Sequence, residues 1–284
     1  MRNAESPVYK VFALRYAVSG LRQWHENFIY PDPHETQIPL AYYIWAAISN
    51  DRVVVIDTGF TARAAAQRRR TLVAEPAELL AALGITAISV RDVVLTHLHY
   101  DHAGNLDVFP NATFHLQETE MGYATGRYMR HARLAQAFDV EDIVTVVRRN
   151  FDGRVHFHDG TAEIVPGVSV HRVGGHTAGL QVVRIHTSRG WLVLASDAAH
   201  LSANMTKQNP FPIVFHLGDM LEGYQLCESL ADRPDMIIPG HDPAVMDLWP
   251  RVAENPNIVR VDLEPSGAAP ANLSAPESSS GSQR

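Results

Sequence analysis

Short, almost unbroken apolar runs punctuate the chain, and each leads into a residue with a donor atom for a metal ion. The runs 53–56, 93–96, 192–195 and 236–239 end at Asp57, His97, Ser196-Asp197 and Gly240-His241, and the run 168–173 leads through Gly174-Gly175 to His176. Such runs, bounded by turn formers, predict strands buried on both faces. Between them lie helical patterns. Residues 76–83 read as a helix stopped by Gly84, and 140–149 as one with Ile143, Val144, Val146 and Val147 on a single face behind an Asp139 N-cap. Alternating strands and helices predict an α/β fold. Strands lying side by side in central sheets would set their terminal residues along one edge, where layered α/β proteins bind ligands.

Composition narrows the partners. With 284 residues, 46% of them hydrophobic, the chain can bury a large core. Residues 1–263 carry no linker-like stretch and read as one folded unit. Residues 264–284 are rich in Pro, Ser, Ala and Gly, hold one large apolar residue, Leu273, and read as a disordered tail. A formal charge of -7 argues against a nucleic-acid or membrane-surface binder and favours a small-molecule partner. The single cysteine, Cys227, excludes an intramolecular disulfide. Neither a signal-peptide core nor an apolar run of about 18 residues is evident, so a cytoplasmic location is expected. Residues 29–39, IYPDPHETQIP, must be a loop, and with Trp24, Phe28 and Tyr30 it has the aromatic surface to cover a pocket.

The chemistry concentrates in His97-Leu98-His99-Tyr100-Asp101-His102. In an extended stretch His97 and His99 point to the same side and can grip one ion. The following Ala103-Gly104-Asn105 permits a tight turn that swings Asp101 and His102 toward a second ion. Imidazole and carboxylate suit zinc or another late first-row divalent metal. His176 and His241, each beside glycine, add one imidazole apiece, and Asp197 can bridge. The set divides into His97, His99 and His176 around one metal and Asp101, His102 and His241 around the other, with Asp197 shared. Two divalent ions against Asp101, Asp197 and a hydroxide leave the site about one unit positive, which favours an anionic transition state.

His-x-His-x-Asp-His at 97–102, Gly-His-Thr-x-Gly at 175–179, Asp197 and Gly-His at 240–241 together resemble the metallo-β-lactamase superfamily. The resemblance spans most of the chain. It implies a four-layer αβ/βα sandwich with two metal ions, zinc expected, at the edge of two packed sheets. It also implies that Asp57, in Ile-Asp-Thr-Gly, orients ligands without binding metal itself. Within the superfamily, His-Leu-His-Tyr-Asp-His-Ala-Gly-Asn-Leu, Ser-Asp-Ala-Ala at 196–199 and the late Gly-His-Asp look like the lactonases that open N-acyl homoserine lactones and related rings. His99 stands where the oxygen-reducing di-iron branch carries Glu, so the chain looks hydrolytic. No nuclease-type clamp or basic tract accompanies the motifs.

The expected activity is therefore lactone opening by attack of a metal-bridging hydroxide, with Asp101 as proton shuttle. One departure stands out. Where those lactonases carry a tyrosine three residues after the bridging aspartate, this chain has His200, expected to assist the oxyanion. A thioesterase or other ester or amide hydrolase would use the same centre; a β-lactamase and a metal-dependent oxidoreductase are the remaining readings. The partner is a small lactone or ester, with no nucleic acid and no membrane, and the family suggests a homodimer. Trp24, Phe28, Tyr30, Tyr123, Tyr128, Met129, Phe211, Phe215 and His216 are candidate pocket walls. His156 and His158 alternate in a strand-like segment, but no third ligand lies near them in sequence, and they are set aside.

Overall fold

Strands β1 (Lys10–Val18), β2 (Ala41–Ile48), β3 (Val53–Ile56), β4 (Thr71–Leu72), β5 (Asp92–Val94), β6 (Thr113–Gln117), β7 (Val155–His158), β8 (Thr161–Val165), β9 (Val168–Arg172), β10 (Gln181–Thr187), β11 (Gly190–Ser196), β12 (Ile237–Pro239) and β13 (Ile258–Arg260) supply the frame. They come from a computed structural model that describes residues 6–31, 37–252 and 255–266. One sheet runs β13-β1-β2-β3-β5-β6-β7 with β4 on β1; the other runs β12-β11-β10-β9-β8. The helices are α1 (Ala62–Arg68), α2 (Pro76–Ala82), α3 (Glu118–Ala124), α4 (Ala132–Ala135), α5 (Val140–Phe151), α6 (Ser202–Thr206), α7 (Leu217–Leu230) and α8 (Val245–Leu248).

Side-chain alternation produces the layers. In β1, Phe12, Leu14 and Tyr16 face outward and pack with Ala64, Leu79, Leu80, Ile143 and Val146 of α1, α2 and α5. On the opposite face Val11 and Ala13 join Trp45, Leu194 and Ile238 in the core between the sheets. The far face of the second sheet packs Val182 and Val193 against Tyr224 and Cys227 of α7. The order is therefore helix, sheet, sheet, helix, as the resemblance implied. Both faces of the central strands are apolar because both are covered. A fully buried side chain such as Trp45 or Ile238 contributes about 1.5–3 kcal/mol of burial free energy.

The apolar runs become strands with small shifts. Run 53–56 is β3 and 192–195 lies within β11, whereas β12 begins only at Ile237, after a single 3-10 turn. Both expected helices form, and the Asp139 side chain accepts the Glu141 N–H at 3.0 Å. Because β3, β5, β6 and β7 are mutually parallel and β12 is parallel to β11, their carboxyl ends meet at one edge. The tail expected from residue 264 lies outside the described residues beyond 266; Glu264 itself pairs with Arg189, and Ser266 N–H donates to Leu248 O at 2.7 Å. Residues 32–36 of the Pro-rich loop also lie outside. Among the described residues no helix is long and apolar enough to cross a membrane.

Candidate metal centre

The histidines and aspartates at the strand ends converge, and all are buried, none more than 9% exposed. Strained backbone places Asp57 and, through Ser196, delivers Asp197. Asp57 and Ser196 close β3 and β11 in the left-handed region, at φ 60° and 46°, conformations that cost energy and are typical of functional turns. Gly175 takes φ +83°, and a Cβ there would stand 2.5 Å from the Met220 backbone nitrogen, so the turn that delivers His176 requires glycine. At Gly240 a Cβ would stand 2.6 Å from Ser196 O, which lets the His241 loop lie directly on the Asp197 loop.

Asp197 sits between two sets of imidazoles. Its Oδ2 lies 3.1 Å from His176 Nε2, 3.7 Å from His97 Nε2 and 3.0 Å from His200 Nε2. Its Oδ1 lies 3.2 Å from His102 Nε2 and 3.0 Å from His241 Nε2. On the first side His99 Nδ1 completes the group, 2.9 Å from His97 Nε2 and 3.0 Å from His176 Nε2. On the second, Asp101 Oδ2 is 3.9 Å from His102 Nε2 and 3.8 Å from His241 Nε2. Donor atoms close enough to share an ion thus form three groups among the described residues: His97, His99, His176 with Asp197; Asp101, His102 with His241; and Asp197, His200 with His241.

Outer hydrogen bonds fix the tautomers. His176 Nδ1–H donates to Ile213 O and His241 Nδ1–H to Ala41 O, both at 2.9 Å, and His102 Nδ1–H donates to Asp57 Oδ2 at 2.7 Å. In neutral imidazoles this leaves the Nε2 lone pairs aimed at the carboxylate oxygens with no proton between them, an arrangement suited to a cation. Accordingly His102 Nε2 is buried without a hydrogen-bond partner among the described residues, as is His200 Nδ1. Asp57 also accepts Thr96 N–H at 2.8 Å and the Thr96 hydroxyl, while Thr96 takes the Ser196 hydroxyl at 2.8 Å.

Electrostatics divide the histidines of the cluster. Burial, then neighbouring imidazoles, push His97 and His99 well below the ordinary histidine range, so both are neutral, the ligating form. Burial works against charge on His102 and His241, yet Asp197 outweighs it, with Asp57 and Asp101 adding to His102, and both are raised. Burial likewise opposes ionisation of Asp197, but His200, His241, His102 and His176 hold its carboxyl well below the usual carboxylate range. Burial drives His200 down to about 3 although Asp197 pulls the other way, so its imidazole is neutral rather than titrating near neutrality. Its ring stacks on Phe211 at 3.6 Å and 1°.

Sequence reasoning passed over three contributors. Glu120 is fully buried and accepts Leu98 N–H at 3.0 Å and Gly179 N–H at 2.9 Å, tying the 97–102 loop to the 175–179 loop. Tyr16 O–H donates to Asp101 O at 2.8 Å. Arg22, Arg68, Arg70 and Arg133 line the cavity over the centre, about 440 Å³ in volume; the reading of no basic tract passed over the run Arg68-Arg69-Arg70. Of the aromatic wall candidates only Phe211 lines this cavity. Tyr123 borders a smaller neighbouring one, and Trp24 is stacked on Phe28 at 3.6 Å. His156 and His158, set aside above, find a third imidazole in His115, but the three rings stack and belong to none of the converging groups.

The Metallo-beta-lactamase superfamily model matches residues 36–241, which hold the whole cluster. The chain belongs to the metallo-beta-lactamase superfamily. Within it, the chain is 32% identical over 190 residues to the N-acyl homoserine lactonase AttM of Azorhizobium caulinodans, covering 62% of this chain and 65% of that relative. It is 33% identical over 132 residues to the N-acyl homoserine lactonase AiiB of Agrobacterium fabrum, 45% of this chain and 47% of that one. The matches thus span less than two thirds of these relatives' own lengths. A solved quorum-quenching N-acyl homoserine lactone lactonase superposes with TM-score 0.70 at 21% identity over 84% of this chain and 95% of its own. The dizinc quorum-quenching lactonase AidC, in complex with a product, does so with TM-score 0.64 at 18% identity over 94% and 100%. At those identities the likeness is one of superfamily fold.

Proposed function

We propose that the chain is a two-metal hydrolase that opens a lactone ring, with N-acyl homoserine lactones and related rings as the substrate class. The observation that carries the reading is the position of Asp197, one oxygen facing each set of imidazoles. His97, His99 and His176 would hold one divalent ion, Asp101, His102 and His241 the other, and Asp197 would bridge; zinc suits this donor set. When bound, two such ions supply Lewis acidity toward an ester carbonyl and a water whose pKa falls to about 7.

The chain's own groups do the rest. His99, Asp101, Asp197, His200 and His241 face the cavity, so a ring bound there lies against the cluster. Asp101 is the proton shuttle: its carboxylate borders both the cavity and the second donor group, from which it can carry a proton to the leaving alkoxide oxygen. His200 stands on the cavity wall in place of the lactonase tyrosine and is the group assigned to assist the oxyanion. Asp57, Thr96 and Ser196 keep His102 and His97 oriented.

The test is a pH-stat measurement of acid release by zinc-loaded protein from N-acyl homoserine lactones, simple lactones, thioesters and a β-lactam, with a chelated control. Chelator-sensitive acid release that is fastest with lactones supports the reading. Turnover of thioesters with inert lactones would move the assignment to another ester hydrolase.

A further inference from the structure

The cavity over the donor cluster is lined by four guanidinium groups in a chain whose formal charge is -7. They arrive from three places: Arg22 just before the 3-10 turn Trp24–Glu26, Arg68 and Arg70 at the end of α1, and Arg133 on α4. Apart from the cluster's own aspartates, the one carboxylate on the lining is Glu26, and its Oε2 accepts Gln23 N–H at 2.7 Å. Among the described residues none of the four arginines is ion-paired with a carboxylate. Elsewhere Arg63, Arg149, Arg189, Arg233 and Arg260 take an Asp or Glu partner, whereas Arg15, Arg154 and Arg184 are held by amide and carbonyl oxygens.

Three of these cationic groups are held in place by neutral neighbours, while Arg133 on α4 is exposed. Arg22 Nε donates to Asn27 Oδ1 at 2.8 Å and its Nη2 to Glu26 O at 2.7 Å, with the guanidinium 5.5 Å from the Phe211 ring centre. Arg68 donates to Gln136 O at 2.8 Å and Phe138 O at 3.1 Å and lies 3.9 Å over the Tyr100 ring. Arg70 lies 5.8 Å from the Tyr42 ring centre, and its Nε is buried with no hydrogen-bond partner among the described residues. Half-buried guanidinium groups fixed by carbonyls and rings but without a counter-charge are costly to keep, and their fork geometry matches carboxylate and phosphate.

We propose that this wall is an anion subsite, and that the preferred substrate is a lactone carrying a negative group on the arm away from the scissile carbonyl, a carboxylate before a phosphate. The inference rests on the lactone-opening reading for its chemistry. A long uncharged acyl arm would meet these charges with nothing to pair them.

The test uses two homoserine lactones of equal length, one with a hexanoyl arm and one with an adipoyl arm ending in carboxylate, plus a third ending in phosphate. On zinc-loaded full-length protein, the adipoyl compound should show kcat/KM at least about tenfold higher than the hexanoyl one, mostly through KM. That preference should shrink severalfold between 50 and 500 mM salt, both figures being of the order expected for charge-assisted pairs. Arg22→Gln and Arg133→Gln should each lower the charged-to-neutral ratio several-fold, whereas Arg148→Gln, exposed on α5, leaves the ratio unchanged. Preference for the phosphate arm over the carboxylate would keep the subsite and change its ligand. A ratio near one, or a ratio unmoved in both cavity variants, overturns the proposal with lactone opening intact. If no lactone is opened, calorimetric titration with open-chain adipoyl homoserine and its hexanoyl counterpart decides. Tighter binding of the charged compound that is lost in both variants keeps the subsite and removes the lactone reading; equal binding removes both.

Discussion

Two histidine clusters lie in the molecule, one where the ends of both sheets meet and one within the first sheet, and they differ in what faces them. At the carboxyl ends of β3, β5, β11 and β12, imidazoles from separate loops point inward at Asp197, with their outer nitrogens engaged by Asp57, Ile213 O and Ala41 O. On β6 and β7, His115 pairs in register with His156, and the rings lie parallel, with His158 17° from His115 and 12° from His156. There the one carboxylate, Asp92, accepts from His115 Nε2–H at 3.1 Å, leaving His115 Nδ1 to accept from His158 Nε2–H at 3.2 Å. A ladder holds side chains side by side, whereas strand ends followed by tight turns can aim them at a point. Histidine density therefore does not make a metal site; a central carboxylate and fixed outer partners do.

The comparison can be broken most severely at its centre. Asp197→Ala should remove activity by about 10³-fold or more and strip metal, because both donor groups lose their shared oxygen; atomic-emission metal analysis beside the pH-stat rate checks both. Asp101→Asn should cut turnover by about 10²-fold while sparing much of the metal, the signature of a proton carrier. Unchanged turnover in that variant removes the shuttle assignment. A smaller effect, about 10–100-fold in metal affinity or rate, is expected for Asp57→Asn, which keeps the shape of the partner of His102 and loses its charge. Chelator titration of that variant reads the affinity directly.

The β6–β7 cluster gives the smallest effect and one of a different kind. His158→Gln should leave kcat/KM within about twofold. Burial, then His115 and His156, hold His158 down to about 4. Between that value and the unfolded value of about 6.5 the unfolded chain binds the extra proton. Wild-type stability is therefore lost as pH falls through this window, and the glutamine variant should lose less. Melting temperatures at pH 5 and pH 7.5 test it: the variant's gain over wild type should appear at the lower pH alone.

Much of the centre was legible because its signal is local. Five apolar runs ending in donors, and three imidazoles with an aspartate in six residues, fixed both the strand ends and the grouping around Asp197. What escaped depends on contacts between distant segments. Glu120 carries no motif and matters only because α3 brings it under Leu98 and Gly179. The arginines of the cavity are 46 to 111 positions apart between segments, too far for any spacing rule to join them. The same separation hid His115 from His156 and His158. Aromatic residues near the early loop read as pocket walls, yet Trp24 and Phe28 stack on each other and do not line the cavity. The tyrosine-to-histidine change at position 200 was visible, but its neutrality was not, since that comes from burial.

Metal content per chain, measured after loading with excess zinc and removal of free ion, bears most directly on the claim that one cluster is a two-metal site and the other is not. The account predicts two equivalents in wild type and in His156→Ala/His158→Ala, and fewer than one in Asp197→Ala. One equivalent or none in wild type, or an equivalent lost with His156 and His158, would contradict it.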